Sequence, residues 1–335
     1  MNARTRIVLR AAAATVAATV LLSGCQAALA ATGVGVPAAV SGMQGAAGAP
    51  SASGAPAASG APDASGVPAA ADASTATSRA FADLERTHGA TLGVTAVDTG
   101  NGRAVGYRSG ERFPFASSNK TFIAAATLQR TTTADLGTVI HYTRADLLDY
   151  APITSRFVDT GMTVRELLDA MLRFSDNTAA NLLVARLGGP DAVEQWMRGI
   201  GDRITSVDRV EPDLNEATPG DPRDTTTPAQ FAADLRTVVL GKTLETADRT
   251  LLRNTMLDNT TGDETIRAGV DPAWPVADKT GTGEYGVRDD IAVVYPAGRA
   301  PVIVVVLTRK DTPDATPDNA LVAEAAKVAV RALGR

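Results

Sequence analysis

Residues 114–128 read Pro-Phe-Ala-Ser-Ser-Asn-Lys-Thr-Phe-Ile-Ala-Ala-Ala-Thr-Leu. A serine at a helix start is ordinarily a cap. One held at the positive end of a helix dipole can also act as a nucleophile. Ser117 and Ser118 are adjacent here, and Lys120 follows. Three residues make about one helical turn, so Ser117 and Lys120 share a face, whereas Ser118 and Lys120 do not. If Lys120 is the partner, Ser117 is the nucleophile, and its backbone N–H near the helix start points at a developing oxyanion. Alone, Ser-x-x-Lys is weak: a capped helix with a surface lysine explains it as well.

The choice of base is narrowed by what is scarce. The chain has two histidines, His88 and His141. His88 falls at the end of a helix-like segment and His141 in a strand-like stretch remote from other candidates. A Ser-His-Asp triad needs a histidine beside the nucleophile, and a zinc hydrolase needs a His, Cys and carboxylate cluster. Proton transfer in a hydrolase of this composition runs through lysine or glutamate, and both histidines read as structural.

Three further features follow in order. Ser175-Asp176-Asn177 lies between two helix-like segments. Glu211 and Asn215 lie in a stretch rich in Pro, Asp and Thr. Lys279-Thr280-Gly281 lies on a strand. Their separations from Ser117 onward are 58, 36 and 68 residues. Each alone has a plain explanation as a helix cap, a solvated carboxylate or a strand end. Together, Ser117-Ser118-Asn119-Lys120, Ser175-Asp176-Asn177, Glu211-Pro212-Asp213-Leu214-Asn215 and Lys279-Thr280-Gly281 resemble the active-site motifs of class A serine β-lactamases, a family that is itself a standard illustration of such a set. The resemblance covers residues 78–335.

That resemblance implies a serine hydrolase that opens the β-lactam ring of penicillins and some cephalosporins. Ser117 attacks the lactam carbonyl, and the N–H groups of Ser117 and Thr282 hold the oxyanion. Lys120 and Glu211 are the two candidates for the base in acylation. Ser175, helped by Lys279, passes a proton to the leaving nitrogen. Asn177 holds the substrate's side-chain amide. Glu211 and Asn215 position the water that hydrolyses the acyl-enzyme. Lys279, Thr280, Gly281, Thr282 and Arg288 edge the pocket for the substrate carboxylate, and Tyr150 lines the opposite wall. Arg209 and Asp224 form the ion pair that closes the neck of the Glu211 loop. No metal or cofactor is implied. Asn119 departs from the family, which commonly has phenylalanine there. Ala116 and Gly283 are not cysteines, so the disulfide of one carbapenem-hydrolysing subgroup is absent and a penicillinase-leaning spectrum is expected. A D-alanyl-D-alanine peptidase shares the Ser-x-x-Lys, Ser-x-Asn and Lys-Thr-Gly motifs but lacks the Glu211/Asn215 loop. A non-catalytic lipoprotein that senses β-lactams is the other alternative.

The elements that must position these residues are legible as patterns. Segments 77–89, 118–128, 163–174, 177–188, 190–201, 227–241, 245–257 and 317–333 read as helices. Segments 91–99, 103–110, 274–283, 288–296 and 300–309 read as strands, the last a buried one. Residues 208–226 read as a long ordered loop. Strands from both ends of this order can join in one sheet, with the central helices as a separate lobe. The expectation is an α+β fold: an antiparallel five-stranded sheet flanked by helices, with an inserted all-α lobe.

The first 24 residues combine Arg4, Arg6 and Arg10 with an apolar run too short to span a bilayer, the pattern of an export signal. Leu22-Ser23-Gly24-Cys25 resembles a lipobox, with Cys25 lipidated at the mature N-terminus. Cleavage after Ala30, giving a secreted protein, is the alternative. Residues 25–77 contain a six-residue repeat of Gly, Ala, Pro and Ser over Gly48 to Ala71 and read as a disordered tether with a reach of about 40 Å. Residues 78–335 form the catalytic domain, expected as a monomer on the outer face of the cell membrane. Loss of the three arginines takes the formal charge from −5 to −8. Nucleic acid is thereby disfavoured as a partner, and membrane contact is confined to the lipid. Cys25 is the only cysteine, so no disulfide forms within the chain.

Overall fold

The computed structural model describes residues 74–334. Cys25, the export signal and most of the expected tether lie outside the described residues. Helix α1 (Thr75–His88) starts three residues before the expected domain boundary at 78, capped by the Ser74 hydroxyl, which accepts from Thr77 N. A hairpin of β1 (Thr91–Asp98) and β2 (Ala104–Tyr107) follows. Strand β3 (Phe113–Pro114) leads into a 3₁₀ turn (Ala116–Asn119) and helix α2 (Lys120–Gln129). The helical lobe then contains β4 (Val139–Ile140), β5 (Met162–Thr163), α3 (Val164–Arg173), α4 (Asn177–Leu187) and α5 (Pro190–Gly199). After the long loop come β6 (Thr225–Thr226), α6 (Pro228–Leu235) and α7 (Thr246–Leu257). The chain closes with α8 (Ile266–Gly269), β7 (Val276–Thr282), β8 (Arg288–Val294), β9 (Val302–Arg309) and α9 (Asn319–Ala332).

The five long strands form one antiparallel sheet in the order β2-β1-β9-β8-β7. Strands from the two ends of the domain therefore lie side by side, and the helices between β2 and β7 are an insertion, as expected. The run Val302 to Leu307 is buried on both faces because alternate residues feed two different cores. Ile303, Val305 and Leu307 pack toward α2, α3 and α6. Val302, Val304 and Val306 pack with Phe81 of α1 and Leu321, Val322 and Ala325 of α9.

Local chemistry explains the helix starts. Thr163 and Glu166 form a reciprocal capping box on α3. Thr227 caps α6, with Pro228 in the first helical position. The segment 227–241, expected as one helix, is α6 followed by a π turn over Arg236–Leu240. The expected helix start at 118 is instead the 3₁₀ turn, and α2 proper begins at Lys120.

Helices α1 and α9 pack together on the sheet face away from the helical lobe. His88, at the C-terminal end of α1, places Nδ1 2.8 Å from Oδ2 of Asp318, which caps the start of α9. The two helices therefore run antiparallel, and His88 has the structural place expected of it. His141 is exposed.

Candidate active site

The cleft opens between β7 and the helical lobe, with a volume of about 340 Å³. Its walls include Ser117, Ser175, Asn177, Asn215 and Tyr150, with Thr280, Thr282 and Arg288 on the sheet side. Three sequence-distant motifs thus meet on Ser117, while the charged groups lie just beneath the surface. Lys120, Glu211 and Lys279 are all buried.

The 3₁₀ turn settles which serine faces the cleft. With about three residues per turn, positions 117 and 120 stand in register. Ser118 turns inward, and its hydroxyl donates to Phe115 O at 2.6 Å. Ser117 Oγ donates to Glu211 Oε1 at 3.1 Å. Lys120 Nζ lies 2.9 Å from the same oxygen. Serine and lysine share a face as the spacing predicts, but they converge through the glutamate.

Lys120 Nζ also donates to Ser175 O at 2.8 Å and Asn177 Oδ1 at 2.6 Å, and lies 3.4 Å from Ser175 Oγ. Burial pushes the Lys120 ammonium below its ordinary pKa, and the Glu211 carboxylate offsets part of that. Lys279 Nζ donates to Ser175 Oγ at 2.9 Å and to Thr280 O at 2.7 Å. Burial and then the charge of Lys120 hold Lys279 well below its ordinary value. The Ser175 hydroxyl therefore sits between two lysines that are easily deprotonated.

The backbone around the site is held in unusual conformations. Ala116 has φ 41° and Ser175 φ 57°. Left-handed non-glycine residues cost on the order of 1–3 kcal/mol each and persist where surrounding contacts impose them. At Ser175 the imposing group is Asp176. Its buried carboxylate caps α4 through Ala179 N at 2.9 Å. It also accepts from Ile153 N at 3.0 Å and Thr154 N at 2.9 Å. The plain reading of Ser-Asp-Asn as a helix cap holds for its middle residue, while Ser175 and Asn177 face the cleft. Asn177 N also donates to Tyr150 O at 2.9 Å, which ties Tyr150 to the opposite wall.

Strand β7 reaches the nucleophile only because residue 281 is glycine. A Cβ there would stand 2.9 Å from Phe115 O and 3.2 Å from Ser117 N. Thr282, the next residue on β7, lines the same cleft as Ser117. Arg288 Nη1 donates to Thr282 Oγ1 at 3.1 Å and Nη2 to Thr261 O at 3.0 Å. Its Nε donates to Asn319 Oδ1 at 2.5 Å. These contacts fix the guanidinium plane in the cleft wall.

Glu211 is 3% exposed and divides its two oxygens. Oε1 faces Ser117 and Lys120, and Oε2 accepts from Asn215 Nδ2 at 2.5 Å. Asn215 reaches it through the 3₁₀ turn Asp213–Asn215. At the neck, Arg209 Nε donates to Asp224 Oδ2 at 2.6 Å, and Arg209 also pairs with Glu216. Asp224 further accepts from Asp208 N at 2.9 Å and Arg209 N at 3.1 Å.

Sequence reasoning did not single out Asn181, Thr261 or Asn319. Asn181 clamps the Glu211 backbone from both sides, donating to Glu211 O at 2.8 Å and accepting from Glu211 N at 3.0 Å. Its one signal is its place four residues after Asn177, on the same face of α4. Thr261 brings its hydroxyl within 2.6 Å of Thr280 Oγ1. Asn319 belongs to the last helix, and nothing local to it points to Arg288, 31 residues earlier at the cleft.

Comparison with known proteins agrees with this geometry. The model of the β-lactamase enzyme family matches residues 76–333. A β-lactamase of Amycolatopsis lactamdurans is 51% identical over 259 residues, which is 77% of this chain and 86% of that protein. A β-lactamase of Bacillus amyloliquefaciens is 49% identical over 257 residues, 77% of this chain and 84% of that protein. Among solved structures, a β-lactamase from Desulfarculus baarsii superposes with a TM-score of 0.76 at 43% identity, over 78% of this chain and 98% of its own. A variant of the reconstructed last common ancestor of Gram-negative class A β-lactamases gives a TM-score of 0.74 at 48% identity, over 76% and 97%.

Proposed function

The chain belongs to the class A branch of the β-lactamase enzyme family, and from that premise we propose that it hydrolyses β-lactams through an acyl-enzyme on Ser117 that Glu211 clears. The observation that carries this reading is the divided carboxylate of Glu211, with one oxygen at Ser117 and Lys120 and the other at Asn215. One group so placed can serve the nucleophile in the first half of the reaction and a water in the second.

In acylation, Ser117 Oγ adds to the lactam carbonyl and its proton passes into the Glu211–Lys120 pair, whose Oε1 and Nζ are 2.9 Å apart and either of which can receive it. The developing oxyanion lies between the N–H groups of Ser117 and Thr282. Collapse breaks the C–N bond, and Ser175 Oγ gives its proton to the leaving nitrogen. Lys279 replaces that proton across 2.9 Å, and the proton taken from Ser117 passes by way of Lys120 and Ser175 to Lys279, so that Glu211 is again a carboxylate before water enters. In deacylation, a water held by Glu211 and Asn215 gives its proton to Glu211 and adds to the ester carbonyl. Ser117 then leaves and recovers its proton. Arg288, Thr280 and Thr282 receive the substrate carboxylate, and Asn177 its amide. The substrates are penicillins and some cephalosporins, with weak turnover of carbapenems. The protein acts as a monomer, exported and held on the outer face of the membrane by a lipid on Cys25.

The test mixes purified protein with a chromogenic cephalosporin and follows hydrolysis together with adduct mass, for wild type and Glu211→Ala. Wild type turns over rapidly. In Glu211→Ala, deacylation falls by about 10²–10⁴-fold, the range for a lost general base, and the adduct accumulates. A long-lived adduct on wild type overturns the reading in favour of a peptidase or a sensor. No adduct and no turnover overturns every acyl-enzyme reading.

A further inference from the structure

Asn119 sits between the nucleophile's turn and the buried lysine, yet the reaction as described does not use it. It is 1% exposed, and neither Oδ1 nor Nδ2 has a hydrogen-bond partner within the protein. An amide in that position carries the full desolvation penalty of both its groups unless something else meets them. The amide borders a small cavity closed by Ile123 of α2, Asn181 and Val184 of α4, and Val210 and Leu214 of the site loop. The space open to a water centre there is about 10 Å³, close to the minimum for a single water.

We infer that Asn119 holds one buried water between α2, α4 and the site loop, and that through this water it acts as a positioning residue for Glu211. The chemistry of the walls suits one water. A buried water needs two or more polar partners. The Asn119 amide supplies both a donor and an acceptor. Asn181 Oδ1 already accepts from Glu211 N at 3.0 Å and retains a second lone pair. Lys120, Arg209 and Glu211 also line the cavity, and the rest of its wall is apolar and confines the water. It joins the turn carrying Ser117 to the residue that clamps the Glu211 backbone, and so helps hold the carboxylate against Asn215, where the deacylating water is activated.

The inference rests on the reading of Glu211 as the group that clears the acyl-enzyme. Two measurements on the full chain test it. A high-resolution crystal structure is expected to show one water bonded to the Asn119 amide and Asn181. A dry cavity, or an amide bonded directly to protein groups, overturns the inference. In Asn119→Leu, which keeps the branched shape, is somewhat larger and removes both polar groups, deacylation is expected to fall about tenfold through misplacement of the carboxylate. Single-turnover acylation should stay within about twofold, so kcat and KM fall together. Asn119→Ser, which retains a hydroxyl and leaves room for water, should recover most of the deacylation rate. Wild-type turnover by the leucine variant, or equal loss of both steps, overturns the inference. Should the leucine variant not fold, the crystallographic site and the serine variant decide. Failure of the underlying reading shows separately, as Glu211→Ala that does not accumulate adduct.

Discussion

Asp234, on the inner side of α6, offers a test of how burial sets the pH dependence of stability. It is 3% exposed, and its Oδ1 accepts from Gln230 Nε2 at 2.9 Å. Its Oδ2 has no donor, and neither has Oδ2 of the fully buried Asp202. Burial first, and then the charge of Asp202, hold the Asp234 carboxyl well above the usual carboxylate range, with Arg198 and Gln230 opposing in part. The sign follows from which state loses the proton first. Below the unfolded value, about 3.9, both states are protonated and there is no penalty. Above it the unfolded chain ionises while the folded carboxyl stays neutral, so folding loses stability as pH rises, until the folded group ionises too. Each unit between the two values is worth about 1.4 kcal/mol. Asp234→Asn removes the titration and keeps the acceptor for Gln230. It should therefore stabilise the protein at pH 7 by about 1.4 kcal/mol for every unit of separation. In a domain of this size that is about 2–4 °C in Tm per kcal/mol. Near pH 4 the gain should shrink toward zero. Denaturant unfolding of both proteins from pH 4 to pH 8 measures this. A gain independent of pH, or none, refutes the raised Asp234 carboxyl. Activity should be unaffected, because the pair meets the site only through the N–H groups of Ile204 and Thr205 at the root of the loop.

Other expectations concern the site directly. Arg209→Ala removes the guanidinium from Asp224, but two backbone N–H groups remain on that carboxylate. The loss should be about 1–3 kcal/mol, short of the 3–5 kcal/mol for an abandoned buried charge, and limited proteolysis within 209–224 should accelerate. Arg288→Ala should lower kcat/KM by about 10- to 100-fold for substrates bearing the ring carboxylate, mainly through KM, as expected for one lost charged hydrogen-bond pair. An analogue without that carboxylate should be little affected. Gly281→Ala forces a methyl to 2.9 Å from Phe115 O, so acylation should fall at least about tenfold while thermal unfolding moves little. Normal acylation there would show that β7 need not approach so closely.

The elements and the meeting of the motifs were largely legible, for identifiable reasons. The run Val302 to Leu307 declares a strand buried on both faces, and Thr163 with Glu166 declares a helix start. Ser117, Ser175, Glu211 and Lys279 are chemically distinctive residues in spaced motifs, and the chain brings all four to one cleft. What was not legible depends on distance or on subtle backbone geometry. The 3₁₀ turn at 116–119 has the same composition as the α-helix expected there. Asn319 grips Arg288 across 31 residues with no local pattern to mark it. Asp176 could be read as a cap, but not as the group that also secures Ile153 and Thr154. The break of segment 227–241 into α6 and a π turn leaves no periodic trace, because apolar residues continue through it.

The antiparallel packing of α1 on α9 bears on how the domain can be attached to anything else. His88 meets Asp318 at one end of the pair, and the neighbouring Asn319 holds Arg288 at the cleft. Ser74 and Gly334 therefore leave from the opposite end of the two helices. The fourteen residues of α9 put that end about 20 Å from Arg288 at 1.5 Å per residue. A fusion partner joined directly at Ser74 or Gly334 would thus begin about a helix length from Arg288, leaving the cleft mouth open to a freely diffusing small molecule.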